Sequence, residues 1–555
     1  MTPVLEVPLL DVTDLRVTFG HGRAAREVVH GVSFTLAASE CVAIVGESGS
    51  GKSVTARSLL GLAGIGGTVH AGRLDIAGED ARAFTERRWR QVRGGQVGLV
   101  LQDALGSLDP VRKVAAEITD ALRTHRTVTP AQRPQRVHEL LAAVGVPDPE
   151  IRAQQYPHQL SGGLRQRALI ATAIAADPAV LVADEPTTAL DVTVQAQVLD
   201  LLAARKDAGM ALLLISHDLA VVSRIADRVL VMKDGEVVES GPGREVLGDP
   251  RHAYTRRLIA AVPSAHPRGS RLSLDAAPAP TRPVLSGGEV VLEAHDLRKV
   301  YATPDGGSLT AVDGVSLAVR AGRTVGVVGE SGSGKTTTGH LLFGYGRPDG
   351  GTVSVDGRAW ADHSPAELRR LHQRFPVVHQ DPAASFDPRY TVGRTVAEPL
   401  QVAGVPRPER RRRVAELLGR VGLDPALAER HPRQLSGGQR QRVAIARALA
   451  LEPRVVLCDE PVSALDVSVQ AQILDLLADL QATLGIAYVF ISHDLGVVRH
   501  VSDEVLVMQH GRVVEQGDVE DVFERPQHPY TKSLLDAVPT LDAPLRAAPH
   551  PSRSA

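Results

Sequence analysis

The chain says nearly everything twice. GESGSGKS at Gly46 to Ser53 returns as GESGSGKT at Gly329 to Thr336, and LSGGLRQR at Leu160 to Arg167 returns as LSGGQRQR at Leu435 to Arg442. ISHDL at Ile215 to Leu219 recurs at Ile491 to Leu495, and HAYT at His252 to Thr255 recurs as HPYT at His528 to Thr531. The separations are 283 residues between Lys52 and Lys335, 275 between Ser161 and Ser436, and 276 between His217 and His493. The copies are therefore collinear, with about eight extra residues in the first between its lysine and its LSGG. A period this long is domain duplication; solenoid units run to about 20–45 residues.

Between the copies lies SAHPRGSRLSLDAAPAPTRPVLSGG, Ser264 to Gly288, rich in Pro, Ala, Ser and Gly and poor in hydrophobic periodicity. It reads as a tether. The predicted organisation is a module at 8–263, a linker at 264–288, a second module at 289–541 and a Pro/Ala-rich disordered tail at 542–555. Short apolar runs in the first module predict strands at Cys41–Val45, Val97–Leu101, Val180–Ala183, Ala211–Ile215 and Arg228–Met232, with a helical stretch near Val111–Val144. Strands alternating with helices predict an α/β fold whose parallel sheet is covered on both faces. KDGEVVESG and QHGRVVEQG carry hairpin turns at Asp234–Gly235 and His510–Gly511, which adds an antiparallel element after the last core strand.

Lys plus Arg number 62 against 64 Asp plus Glu, so charge gives no case for nucleic acid as the main partner. No run approaches the roughly 18 apolar residues of a membrane-spanning helix, and the N-terminus lacks a secretory pattern. The chain is accordingly expected to stay in the cytoplasm. Cys41 and Cys458 lie in apolar runs and are predicted to be buried core thiols.

GESGSGKS after an apolar strand is a phosphate-binding loop. Gly46, Gly49 and Gly51, with Ser48 between them, let the backbone turn its N–H groups toward an anion. Lys52 can reach the β- and γ-phosphates and Ser53 offers a hydroxyl to Mg2+, while the helix that begins there presents its positive end. Gly329, Ser331, Gly332, Gly334, Lys335 and Thr336 do the same in the second copy. The runs VLVADE and VVLCDE place Asp184 and Asp459 to share in the metal, and Glu185 and Glu460 to polarise an attacking water. His217 and His493 follow apolar strands and are candidates for the γ-phosphate. Gln102 and Gln380 end their own strands, where an amide can hold Mg2+ or water.

With LSGGxRQR added, each copy resembles the ATP-binding cassette family. The resemblance covers the chain except its linker and tail. It implies two tandem P-loop ATPase modules, each a parallel-sheet core with an antiparallel element and a helical subdomain, using ATP and Mg2+. It also implies head-to-tail pairing of the modules. Lys52, Ser53, Gln102, Asp184, Glu185 and His217 would then face Ser436 and Gly438, while Lys335, Thr336, Gln380, Asp459, Glu460 and His493 face Ser161 and Gly163. Asp191 and Asp466 match the family's interface segment, and Phe19 and Tyr301 its adenine-stacking aromatic. Leu164 departs from the usual glutamine, which Gln439 retains.

YPHQLSGG, ADEPTTALDVTVQAQ, QDPAASFDPR and the closing HPYTxxLLxAVP resemble ATPases of dipeptide and oligopeptide importers, here as both halves fused. That resemblance implies two separate membrane permease subunits, an extracytoplasmic substrate-binding protein, and a peripheral position on the cytoplasmic face of the membrane. Nickel and glutathione importers share these features. By the same resemblance, Gln102–Pro110 and Gln380–Arg389, with the helical middles, would form the docking surface. A tandem translation or repair factor is the competing class; its long charged linkers, zinc cysteines and coiled coils are missing here. The cysteines that hold an iron–sulfur cluster in some relatives are also missing, so no cluster is expected.

Overall fold

The computed structural model describes residues 8–22, 25–102, 104–188, 190–273, 288–303, 306–463 and 465–539. Packing divides the chain into two compact units, the first ending at Ile259 and the second running Ala260–Val538. The tail at 542–555 and the linker from 274 to 287 lie outside the described residues.

In the first unit the apolar runs CVAIV, VLVAD and ALLLIS form the strands Cys41–Val45, Val180–Asp184 and Ala211–Ser216, buried along their whole length. Continuous rather than alternating hydrophobicity is what a strand covered on both faces requires. The sheet order is Glu236–Pro242, Arg228–Lys233, Cys41–Val45, Ala211–Ser216, Val180–Asp184, Val97–Val100. Its pairings are parallel except the first, the hairpin expected at Asp234–Gly235. The second unit repeats the sheet with Arg512–Asp518, Glu504–Gln509, Thr324–Val328, Ala487–Ile491, Val455–Asp459 and a shortened edge, Val377–Val378. The expected helical stretch at 111–144 is two helices, Val114–His125 and Arg133–Ala143, separated by Pro130 and its neighbours.

A second, antiparallel sheet begins each unit. Leu10–Phe19 pairs with Arg26–Leu36, Gly67–His70 and Arg73–Ile76, and Val290–Ala302 pairs with Ser308–Arg320 and Gly350–Val355. Its inner face shares a core with the parallel sheet, joining Leu10, Leu15 and Phe34 to Ile44, Leu213 and Leu230. Cys41 and Cys458 are free and fully buried, and burial pushes both thiols up.

The first ten residues read as a tether do not hang free; they pack on the second unit. Pro263–Ala265 forms a short turn against the helix Leu495–Val501. Arg268 pairs with Asp503, and Arg271 with Asp479 at 2.7 Å. The N–H groups of Leu272 and Ser273 donate to the Asp475 carboxylate at 3.2 and 2.9 Å, and Leu272 is buried. One apolar anchor and three acids distant in sequence hold this strap, so its local composition gives no sign of it.

Candidate nucleotide site

In each unit the chemistry-bearing residues collect at the carboxyl ends of the parallel strands, where an open α/β sheet leaves its ligand crevice. Register brings them level: Val45 lies opposite Ser216, and Asp184 opposite Ile215. The loop 46–51 leaves the strand Cys41–Val45 and ends at Gly51, the N-cap of the helix Lys52–Ser58. Gly46 has φ +150°, and a Cβ there would stand 2.2 Å from the Met232 carbonyl oxygen. Gly329, at +147°, meets Met508 the same way. By contrast nothing lies within 4 Å of a Cβ on Gly49 or Gly332. The loop is thus closed toward the protein and open outward, where Ser48, Gly49, Ser331 and Gly332 are exposed.

Lys52 and Lys335 are buried beneath this loop. The Lys52 ammonium donates to the carbonyls of Gly46 and Glu47 at 2.7 and 2.8 Å, and that of Lys335 to Gly329 and Glu330 at 2.8 Å each. Gly334 is the N-cap in the second unit. Ser53 Oγ donates to Asp184 at 2.8 Å and Thr336 Oγ1 to Asp459 at 3.2 Å. Burial pushes the Asp184 carboxyl up, opposed by the Ser53 hydroxyl and the Arg57 guanidinium; Asp459 is pushed up likewise, opposed first by Thr336. Asp184 Oδ2 is buried with no hydrogen bond. A hydroxyl beside a buried, under-satisfied carboxylate is a hard oxygen donor set that fits Mg2+. The open, exposed glycines above it leave room for a phosphate to approach the loop backbone and the helix N-terminus.

Glu185 and Glu460 follow their strands at φ +50°, a left-handed backbone that non-glycine residues seldom adopt and that clusters at active sites. The turn is fixed by hydrogen bonds from their N–H groups to Ile215 and Ile491, each 2.9 Å. It aims Glu185 at His217 Nδ1, 3.1 Å away, and Glu460 at His493 Nδ1, 3.2 Å away. Burial opposes the charge of both imidazoles, yet the carboxylates prevail and raise them. The glutamates in turn, despite their own burial, are held below the ordinary carboxyl range by the histidines. Gln102 joins this pair, its amide donating to Glu185 at 2.7 Å. Gln380 is exposed at the equivalent strand end and makes no such bond to Glu460 among the described residues.

Ser161 and Ser436 are the N-caps of the helices Gly162–Ala173 and Gly437–Leu449, accepting from the N–H of Leu164 at 3.4 Å and of Gln439 at 3.3 Å. Gln439 also accepts from the Ser436 N–H at 3.1 Å, completing a capping box. Leu164 has no acceptor with which to do so. Gly163 and Gly438 lie against valines: a Cβ would fall 2.5 Å from Val194 and 2.4 Å from Val469. Asp191 and Asp466 cap the helices that carry those valines, at 3.0 and 3.1 Å. Capping residue, valine and glycine form one packed chain in each unit.

Phe19 and Tyr301 are set differently. Phe19 is partly buried on the core and its ring lies 3.1 Å from where a Cβ of Gly67 would be. Tyr301 is 47% exposed with the Lys299 ammonium 5.6 Å over its ring. One participant was not foreseen. Arg57, on the loop helix, places its guanidinium 3.6 Å from Asp184 Oδ2, where the corresponding helix position in the second unit is His340. Nothing in the loop motif marks that position, which only the helical turn brings back to the aspartate.

Comparison with known proteins bears on both units. The family described as ABC transporter matches residues 29–188 and 312–463, and that described as oligopeptide/dipeptide transporter, C-terminal region, matches 238–286 and 514–554. The peptidoglycan transport ATP-binding protein of Agrobacterium fabrum is 47% identical over 549 residues, covering 97% of each chain. The oligopeptide transport ATP-binding protein of Mycobacterium tuberculosis is 43% identical over 607 residues, covering 96% of this chain and 99% of its own. The glutathione import ATP-binding protein of Escherichia coli is 43% identical over 567 residues, covering 98% and 91%.

Proposed function

The chain belongs to the ABC transporter family as a tandem ABC-type ATPase, and from that membership we propose that it energises a membrane importer of di- or oligopeptides. What supports the peptide cargo is the oligopeptide/dipeptide-type C-terminal region carried by both copies. No described helix is long and apolar enough to cross a membrane. The similarity to transport ATP-binding proteins supports a peripheral position on the cytoplasmic face, on two separate permease subunits fed by an extracytoplasmic binding protein.

In this reading Lys52 and Lys335 neutralise the β- and γ-phosphates of ATP, and the open loop N–H groups orient them. Ser53, Asp184 and Gln102 would hold Mg2+ in one site, and Thr336, Asp459 and Gln380 in the other. The ion would supply charge neutralisation to the triphosphate there. Glu185 and Glu460 orient and polarise the attacking water. The hydrogen-bonded histidine holds each carboxylate below its ordinary range and fixes its direction, and His217 and His493 are in this reading the contacts to the γ-phosphate. The family resemblance has each signature serine and glycine, Ser161 and Gly163 or Ser436 and Gly438, serve the nucleotide of the other module. That pairing is part of the proposal.

Glutathione, itself a tripeptide, is the second cargo reading, favoured by the similarity to a glutathione import protein. Purification of the Glu185→Gln, Glu460→Gln chain from native membranes, with mass spectrometry of what accompanies it, tests the transport reading. Two multi-spanning permeases are the expected companions, and a binding protein encoded beside them can then be screened against peptides, glutathione and nickel. Ribosomes or DNA-repair proteins without permeases would leave the ATPase and remove the transporter.

A further inference from the structure

The recurring HAYT and HPYT segments each start a helix, Ala253–Ala260 and Pro529–Asp536. Their tyrosines do something else as well. Tyr254 is buried, and its hydroxyl accepts a hydrogen bond at 3.0 Å from the N–H of Glu47, the second residue of the phosphate loop, 207 positions earlier. In the second unit the Tyr530 hydroxyl accepts from the Glu330 N–H, also at 3.0 Å.

Two further parts of this arrangement repeat. Glu239 takes the N–H groups of Arg251 and His252 at 2.8 and 3.1 Å, and Glu515 those of Gln527 and His528 at 2.7 and 3.0 Å. His252 and His528 then accept, through Nδ1, from the N–H of Tyr254 and Tyr530 at 3.2 Å. A glutamate thus fixes a histidine turn, the turn starts a helix, and the helix delivers a phenol to the loop. The glutamate-to-histidine spacing is thirteen residues in both copies.

At its other end the residue so held meets the lysine. The carbonyls of Glu47 and Glu330 accept from Lys52 and Lys335 at 2.8 Å. The backbone of each glutamate is clamped between the tyrosine on its N–H and the lysine on its C=O. We propose that Tyr254 and Tyr530 are positioning residues for the two phosphate loops, making the C-terminal extension of each module a structural part of its nucleotide site. The phenol oxygen fixes the first limb of the loop before nucleotide arrives, so less ordering remains to be done on binding. Because coupling is reciprocal, a nucleotide that orders the loop also favours the docked extension.

This inference rests on the loops being the nucleotide sites, and its test separates the two ideas. In the full chain, Tyr254→Phe and Tyr530→Phe remove one oxygen each and keep the ring. Hydrogen exchange without nucleotide should show the Glu47 and Glu330 amides exchanging about fivefold faster, which reads the bond itself. The dissociation constant for AMP-PNP with Mg2+ should rise about fivefold in the double variant. Should the double variant fold poorly, each single variant must accelerate the amide of its own copy alone. Unchanged exchange and an affinity within twofold of the parent overturn the proposal. A parent chain that fails to bind AMP-PNP would sink the nucleotide reading while the exchange result still judges the tyrosines.

Discussion

At Glu185 and Glu460 a strained backbone and an ion pair act together. Left-handed φ turns each carboxylate out of the sheet, and the histidine that follows the neighbouring strand meets it. The pair predicts a pH signature. Each histidine is raised, so its contribution is complete below the ordinary histidine value, about 6.5, and is lost as pH rises through the folded value. Each glutamate is lowered, so its contribution is complete above the ordinary value, about 4.3, and is lost as pH falls through the folded value. His217→Gln with His493→Gln should therefore lower the melting midpoint by about 2–4 °C near pH 6, with the difference narrowing by about pH 9. Equal differences at both pH values would contradict the ionised pair.

Among the elements, the signature helices offer a comparison built into one chain. The two differ at their third position, where Gln439 closes a capping box and Leu164 leaves it open. Leu164→Gln should stabilise the first helix by about 0.5–1 kcal/mol, and Gln439→Leu should cost the second about the same. Denaturant unfolding of the two variants measures both; a null effect in each would remove the box as an asymmetry between the sites.

Much at this scale was legible in the sequence, because the core strands are short apolar runs with nothing polar to mislead. Cys41–Val45 emerges with its predicted bounds, and Ala211–Ser216 only one residue longer. The opening antiparallel sheet was harder to read. Leu10–Phe19 and Arg26–Leu36 alternate buried and exposed positions with bulges between them, so neither presents a clean apolar run. Of the site, the loop, the DE pair and the histidine were readable because motif and repetition coincide. Arg57 and the tyrosine bonds were not, since both depend on contacts between distant segments.

For the whole molecule, the duplication sets the architecture, and the described start of the join, 264–273, is more structured than its composition implied. The strap at 260–273 belongs to the second unit, held through Asp475, Asp479 and Asp503. Asp475→Asn weakens the acceptor of two backbone N–H groups, one of them from buried Leu272. Limited proteolysis should then cut near 268–273 several-fold faster, the loss of about 1 kcal/mol of local stability. Unchanged cleavage would mean that the strap is held elsewhere. The candidate ATPase chemistry lies with residues inside each unit.

That chemistry is tested most directly by ATP turnover of the purified full chain beside its Glu185→Gln, Glu460→Gln variant. The two glutamates as water-polarising groups predict a loss of about 100-fold or more in turnover, with AMP-PNP and ATP affinity retained. Robust hydrolysis by the double variant would contradict the assignment of both residues.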